Sequence, residues 1–161
     1  IPSIEQFDYY SGGGVDIAFL GMGEADSFGN VNVSHLGGNL IGPGGFVEIS
    51  QNAKKVVFCG TFDAQGTRLE YADGKLNILQ PGKVKKLVAE VERITYSGEF
   101  AQKHGQEVMY ITERAVFRLE REGVTLVEIA PGIDIEKDII PNMGFRPIIG
   151  DVKQMSQEVF R

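Results

Sequence analysis

The stretch Gly42-Pro43-Gly44-Gly45-Phe46-Val47-Glu48-Ile49 decides how this chain is organised, because a glycine turn leads there directly into an apolar segment. Phe46, Ile49 and Ala53 recur at the spacing of one helix face. The pattern predicts a short helix over residues 44–53. Backbone amides of glycines at a helix start can approach an anion or a developing oxyanion closely.

Strand-like segments lie on both sides of this turn and helix. Residues 15–21 and residues 55–60 are short apolar runs, which are typical of buried strands. Residues 29–34 alternate polar and apolar side chains, as in a strand with one solvated face. The order strand, glycine turn, helix, strand predicts an α/β layered domain.

Hairpin patterns predominate after residue 67. Residues 68–71 and 75–79 flank Asp73-Gly74, a dipeptide typical of tight hairpins. Residues 108–119 and 124–130 form a second, longer pair of alternating segments. Both pairs predict antiparallel ribbons.

Two further segments carry weaker patterns. Residues 86–96 alternate imperfectly and predict a strand rather than a helix. Residues 134–143 predict a helix that Asp134 caps and Pro141 shortens. No linker or repeat divides the chain, so we expect one domain.

The composition excludes several functional classes. The 161 residues include 16 Lys and Arg against 22 Asp and Glu, a net charge of −6, which argues against nucleic-acid or anionic-membrane binding. No apolar run approaches the about 18–20 residues that cross a bilayer. The single cysteine, Cys59, follows an apolar run and predicts a buried thiol in a reducing compartment. We therefore expect a cytoplasmic protein.

The familiar cofactor motifs do not occur. His35 and His104 are far apart and lie in no metal-ligand spacing, so we expect no metal site. Gly21-Met22-Gly23 lacks the third glycine of a dinucleotide fingerprint, and no Walker loop occurs. On local grounds the glycine turn keeps two interpretations, a tight structural turn or a pair of amides, Gly44 and Gly45, that stabilises a negative oxygen.

Several longer motifs follow one another along the chain. They are residues 12–21, 24–26 with 29–34, 42–46, 50–60, Tyr110-Ile111-Thr112-Glu113-Arg114-Ala115-Val116-Phe117 and its continuation to 119, 126–134, and 145–149. In this order they resemble the carboxy-terminal half of family I coenzyme A transferases, above all the single-chain enzymes acting on short acyl groups, such as acetate and propionate. The resemblance implies an α/β fold with a mostly parallel sheet, flanking helices and added β-hairpins, of which residues 1–161 are the carboxy-terminal portion.

The resemblance also implies a chemistry. In that family a glutamate attacks an acyl-CoA thioester, and CoA passes through a glutamyl-CoA thioester to a second carboxylate. Gly44 and Gly45 match the glycine loop that holds the oxyanion, with Gly42 and Pro43 shaping its turn. The substrates would be acyl-CoA and a small carboxylate, with CoA as a substrate and no permanently bound cofactor. Further candidates for substrate contact are, from their positions, Phe46, Gln51 and Asn52.

The glutamate motif of the family does not occur in this sequence. Glu24 lies in a different motif and Glu48 lies in the predicted helix, so neither inherits the nucleophilic role. We therefore expect the amino-terminal half of the enzyme to be a partner, and we expect a homo-oligomer. The alternatives are a non-catalytic module that binds CoA or acyl-CoA and an acyl-CoA hydrolase of the same fold.

Overall fold

The computed structural model describes residues 2–160 of the chain. The helices are α1 (Ser3–Ser11), α2 (Phe46–Asn52) and α3 (Gly98–His104), followed by a π-helical turn (Ile135–Ile139) and two 3-10 turns (Ile140–Asn142 and Gln157–Phe160). The strands, in chain order, are β1 (Ile17–Gly21), β2 (Glu24–Ala25), β3 (Val31–Asn32), β4 (His35–Leu36), β5 (Asn39–Leu40), β6 (Lys55–Cys59), β7 (Asp63–Ala64), β8 (Arg68–Ala72), β9 (Lys75–Gln80), β10 (Val84–Lys85), β11 (Glu107–Ile111), β12 (Ala115–Glu120), β13 (Gly123–Ile129) and β14 (Ile148–Gln154). Within residues 2–160, no helix is both long and apolar enough to cross a membrane.

A six-stranded sheet organises the fold, in the order β1-β6-β11-β12-β13-β14. The pairs β1–β6, β6–β11 and β13–β14 are parallel, whereas β11, β12 and β13 form an antiparallel meander. The β8–β9 hairpin turns at Asp73 and Gly74, whose φ angles of 54° and 70° are those that a two-residue type I′ turn requires. The predicted α/β class, with parallel strands and added hairpins, is confirmed.

The core lies against one face of the sheet. Successive side chains of a strand point to opposite faces, so Val56 and Phe58 of β6 point inward together. The predicted helix is confirmed as α2, and its Phe46 ring stacks on Phe58 with centroids 5.9 Å apart. Tyr96 packs against the same Phe58 ring, edge to face, at 4.9 Å. Cys59 follows Phe58 and is exposed, so the prediction of a buried thiol was wrong.

The predicted strand over residues 86–96 was also wrong. The segment forms isolated bridges at Leu87 and Tyr96, with backbone hydrogen bonds around them such as that from the Val88 N–H to the Ala25 carbonyl, but no continuous ladder. One of its backbone N–H groups bonds to a side chain rather than to a strand. The Asp26 carboxylate, more than sixty residues away in the sequence, accepts a hydrogen bond from the Val91 N–H at 3.3 Å. A buried carboxylate thus takes the place of a strand partner.

The predicted long strand over residues 108–119 is divided by a turn. The Thr112 hydroxyl oxygen accepts hydrogen bonds from the N–H groups of Arg114 and Ala115, at 3.3 and 3.0 Å. A side chain that bonds to nearby backbone in this way competes with the sheet ladder. The predicted ribbon is therefore a three-stranded meander of β11, β12 and β13.

Two other predicted elements are shorter or differently wound. The strand over residues 29–34 is confined to β3, which pairs with β2. Asp134 caps the segment after it, since its carboxylate accepts a hydrogen bond from Lys137 N–H at 2.9 Å. The segment then forms a π-helical turn and a 3-10 turn that contains Pro141, rather than the predicted α-helix.

Candidate active site

The glycine loop is a tight turn that ends where α2 begins. The Phe46 N–H donates a hydrogen bond to the Pro43 carbonyl at 3.1 Å, which closes a four-residue turn. Gly44 has φ +55° and Gly45 has φ −83°. A positive φ at Gly44 favours glycine, because a Cβ atom strains that conformation. The sequence therefore specifies this turn locally.

The amides of Gly44 and Gly45 remain available to a ligand. Neither N–H donates a hydrogen bond to any residue in the described part of the chain. Gly42, Pro43 and Gly44 are exposed, and a Cβ at Gly44 would meet no atom within 4 Å. Gly45 is half-buried. Two N–H groups that have no hydrogen-bond partner among the described residues can stabilise a developing negative oxygen.

The connection from α2 to β6 places this loop at the carboxyl edge of the parallel strands. Only Ala53 and Lys54 separate the end of α2 from the start of β6, so the chain reverses direction there. The beginning of α2 consequently points toward the end of β6. In open α/β sheets, ligands bind outside the carboxyl ends of the strands.

The structure does not bring the side chains of the other predicted contact residues to this loop. Gln51 and Asn52 lie at the opposite end of α2, about 9 and about 10 Å along the helix axis from Gly45 at 1.5 Å per residue. The Asn52 side-chain amide donates a hydrogen bond to the Glu48 carbonyl at 2.8 Å. Phe46 adjoins the loop, but its ring is buried against Phe58. Gly44 and Gly45 thus form the candidate site without these side chains.

A cluster of charged side chains follows the ends of β6 and β11. The Arg114 guanidinium lies 2.7 Å from the Asp63 carboxylate (Nη2 to Oδ2), and both side chains are buried. The same guanidinium lies 4.9 Å above the centroid of the Phe62 ring. These contacts hold the loops after β6 and β11 together at the carboxyl edge.

Glu113 and Lys86 extend this cluster. One Glu113 oxygen accepts a hydrogen bond from the Phe62 N–H at 2.8 Å, and the other lies 3.2 Å from Arg114 Nε. Burial lowers the pKa of Lys86, and the Glu113 carboxylate partly opposes this shift. The sequence patterns did not single out Lys86, because it falls in the segment predicted as a strand. Glu113 and Arg114 do occur in the motif Thr112-Glu113-Arg114 that supported the family resemblance.

The described residues do not form a metal site. No three His, Cys, Asp or Glu side chains between residues 2 and 160 are grouped so that they could hold a metal ion. His35 instead lies 2.7 Å from Glu92 (Nδ1 to Oε1), and the ring of His104 stacks on Phe100 with centroids 3.9 Å apart.

Comparison with curated proteins places the chain among CoA-transferases. No protein-family model matches it. Acetate CoA-transferase YdiF of Escherichia coli O157:H7 is 49% identical over 156 residues, which cover 96% of this chain and 29% of that protein. Caffeate CoA-transferase of Acetobacterium woodii is 50% identical over 160 residues, which cover 96% of this chain and 30% of that protein. The chain thus spans under a third of the length of these relatives.

Comparison with solved structures agrees. The crystal structure of the acyl-CoA transferase YdiF apoenzyme from E. coli O157:H7 matches with a TM-score of 0.97 and 48% identity, over 100% of this chain and 32% of that one. The same transferase has been crystallised as a thioester complex with CoA, which matches with a TM-score of 0.97. From its motifs, its relatives and its fold, the chain belongs to the coenzyme A transferase family.

Proposed function

We propose that this chain is the carboxy-terminal portion of a cytoplasmic acyl-CoA:carboxylate CoA-transferase acting on short-chain acids. The observation that carries the proposal is the pair of Gly44 and Gly45 amides at the carboxyl edge of the sheet, whose N–H groups have no hydrogen-bond partner among the described residues. The similarity to acetate and caffeate CoA-transferases supports the same class of reaction.

The proposed reaction proceeds through two covalent intermediates on a glutamate. The glutamate carboxylate attacks the thioester carbonyl, and the carbon–sulfur bond breaks. The CoA thiolate is expelled, and an acyl-glutamyl anhydride forms. The thiolate then attacks the glutamyl carbonyl, which releases the first acid and forms a glutamyl-CoA thioester. The second acid reverses these steps and leaves as its CoA thioester.

This chain would supply the oxyanion donors of each step. Every attack on a carbonyl passes through a tetrahedral oxyanion, and the N–H groups of Gly44 and Gly45 would stabilise it. With seven residues, α2 is a short helix, so the two amides rather than its dipole would carry this role. The nucleophilic glutamate would come from the amino-terminal half, since Glu24 accepts a hydrogen bond from Asn32 and lies outside the family's motif.

The amino-terminal half and a second copy are the proposed protein partners. Strand β1 lies at the edge of the six-stranded sheet, and its Ile17 and Phe19 side chains are 44% and 66% exposed. Exposed apolar side chains on an open strand edge are typical of an interaction surface. We infer that β1 is where further protein docks. Light scattering of the chain alone and of the complete enzyme would measure the assembly.

The function is tested by CoA exchange in the complete enzyme, with acetyl-CoA and radiolabelled propionate as substrates. We expect labelled propionyl-CoA to form. No exchange with any short acid would contradict the proposal. Release of free CoA in the absence of an acceptor would instead identify a hydrolase, and CoA binding without either reaction would identify a binding module.

A pair of Gly45 variants tests the oxyanion role. Gly45→Pro removes the N–H at a φ of −83°, which is close to the angle that proline prefers. Gly45→Ala keeps the N–H and introduces the same Cβ, 2.9 Å from the Phe7 ring. We expect the proline variant to lose a further about 10²–10³-fold in kcat relative to the alanine variant. Equal losses in both variants would mean that the turn is only structural.

A further inference from the structure

The ammonium group of Lys86 lies across the carboxyl edge of the parallel strands. A Cβ added to Gly60, the residue after β6, would stand 2.9 Å from Lys86 Nζ and 3.2 Å from the Met22 carbonyl, just after β1. The Met22 N–H donates a hydrogen bond to the Cys59 carbonyl, and the Gly60 N–H donates one to the Ile111 carbonyl, each at 3.1 Å. The backbone hydrogen bonds between the strands therefore continue past the strand ends, and the backbone of Met22 and Gly60 lies next to the ammonium.

This ammonium group has unused hydrogen-bonding capacity. The side chain is half-buried, yet its Nζ donates no hydrogen bond and forms no ion pair within 4 Å with another residue in the described ranges. Its anionic neighbour Glu113 is already engaged, by the Phe62 N–H on one oxygen and near Arg114 on the other. A lysine ammonium has three donors, and removing it from water without a partner is unfavourable.

Neighbouring lysines show that this arrangement is specific to Lys86. Lys85 Nζ donates hydrogen bonds to the carbonyls of Pro141 and Met143, at 2.8 and 2.9 Å. Lys83 is exposed. Of these three lysines, Lys86 alone combines partial burial, free donors and a position over the strand ends.

We propose that Lys86 Nζ binds the carboxylate of the short-chain acid at the carboxyl edge, above Gly60. The identity of the acid rests on the proposed function, which needs a carboxylate both as product and as acceptor. A compact ammonium with free donors forms charge-assisted hydrogen bonds to a carboxylate oxygen. The absence of a side chain at Gly60 leaves room for the ammonium in this position, and Glu113 holds positive charge there.

The test is a titration of this chain with sodium propionate, followed by the amide resonances of Gly60 and Met22 in NMR spectra. Sodium chloride at matched ionic strength accounts for general screening. We expect saturable shifts at both amides. Lys86→Met should weaken binding by at least about tenfold, whereas Lys83→Met should bind propionate as the unchanged chain does.

A second variant keeps the charge but displaces it. Gly60→Ala places a methyl group 2.9 Å from the ammonium position, so we expect it to weaken propionate binding as well. The proposal is overturned if propionate causes no saturable shift at Gly60, or if Lys86→Met binds as tightly as Lys83→Met. Shifts with pyrophosphate but not with propionate would also overturn it, because the ammonium would then serve a phosphate of CoA. The titration contains no CoA, so its outcome is independent of the exchange assay.

Discussion

Arg114 and Asp63 form an ion pair that is closed to solvent: Nη2 lies 2.7 Å from Oδ2, and the two side chains are 0% and 2% exposed. Removing the Asp63 charge leaves the buried guanidinium with one neighbouring carboxylate, that of Glu113, 3.2 Å from Arg114 Nε, and takes away the shorter of its two ion pairs. Asp63→Asn keeps an oxygen for the hydrogen bond from the Thr67 hydroxyl, yet we expect it to lower the free energy of unfolding by about 3–5 kcal/mol. Urea unfolding followed by circular dichroism measures this change.

The matched control for this prediction is the exposed pair of Asp16 and Lys54, whose charged atoms are 2.6 Å apart. Asp16→Asn breaks an ion pair of similar length at the surface, where solvent screens the charges. We expect its urea midpoint to remain close to that of the unchanged chain. If Asp63→Asn unfolds at the same urea concentration as Asp16→Asn, the buried pair does not stabilise the fold.

Gly44 and Gly37 allow backbone strain to be separated from catalysis. Their φ angles are +55° and +58°, and a Cβ at either position would meet no atom within 4 Å. We expect Gly44→Ala and Gly37→Ala to destabilise the chain by similar amounts, about 1–2 kcal/mol. In the complete enzyme only Gly44→Ala should slow CoA exchange, because its methyl group intrudes beside the oxyanion donors. Equal turnover in the two variants would contradict a catalytic role for this loop.

Features set by local sequence could be predicted, and features set by distant partners could not. The Asp73-Gly74 turn and the glycine turn before α2 are specified by residues that tolerate a positive φ, so both are readable from a few adjacent positions. The irregular segment 86–96 depends on Asp26, whose carboxylate accepts the Val91 N–H across 65 residues. A pattern of alternating side chains contains no information about that contact.

The same distinction applies to the candidate site. Gly44 and Gly45 were identified from the sequence, and the resemblance gave their proposed role. The cluster of Asp63, Glu113 and Arg114 joins residues 51 positions apart, for example through the Phe62 N–H to Glu113 bond. Only the pairing of β6 with β11 brings these residues together. Lys86 lies beside Gly60 at the carboxyl edge of these strands, and its sequence neighbours give no sign of that position.

Cys59 provides a chemical check on the orientation of β6. Since it is exposed and is the single cysteine in the sequence, we expect one thiol to react with a chromogenic disulfide reagent without denaturant. The rate should lie within about tenfold of the rate in unfolding concentrations of urea, because access does not require opening of the fold. Reaction that occurs only after urea is added would contradict the direction assigned to this side chain. Cys59→Ser, which has no thiol, gives the background.

The buried hydroxyl of Tyr110 should make the free energy of unfolding depend on pH in the alkaline range. Burial raises the pKa of its hydroxyl well above the ordinary value of 10.0, and the hydroxyl donates a hydrogen bond to the Gly29 carbonyl at 2.6 Å. Burial also raises the pKa of Tyr96. In the unfolded chain both tyrosines lose their protons near pH 10, whereas the folded chain retains them. The folded state therefore binds more protons above that pH, and the free energy of unfolding falls as pH rises through 10.

Tyr110→Phe removes one of these two titrations. We expect it to be less stable at pH 8 by about 0.5–1.5 kcal/mol, because the hydrogen bond to Gly29 is lost. Between pH 9.5 and about 11 its stability should fall less steeply than that of the unchanged chain, since fewer protons are released on unfolding. Tyr71→Phe removes a hydroxyl from a side chain that is 51% exposed and serves as the surface control. Urea midpoints across this pH range measure both slopes. Parallel curves for the Tyr110 and Tyr71 variants would mean that Tyr110 does not retain its proton in the folded chain.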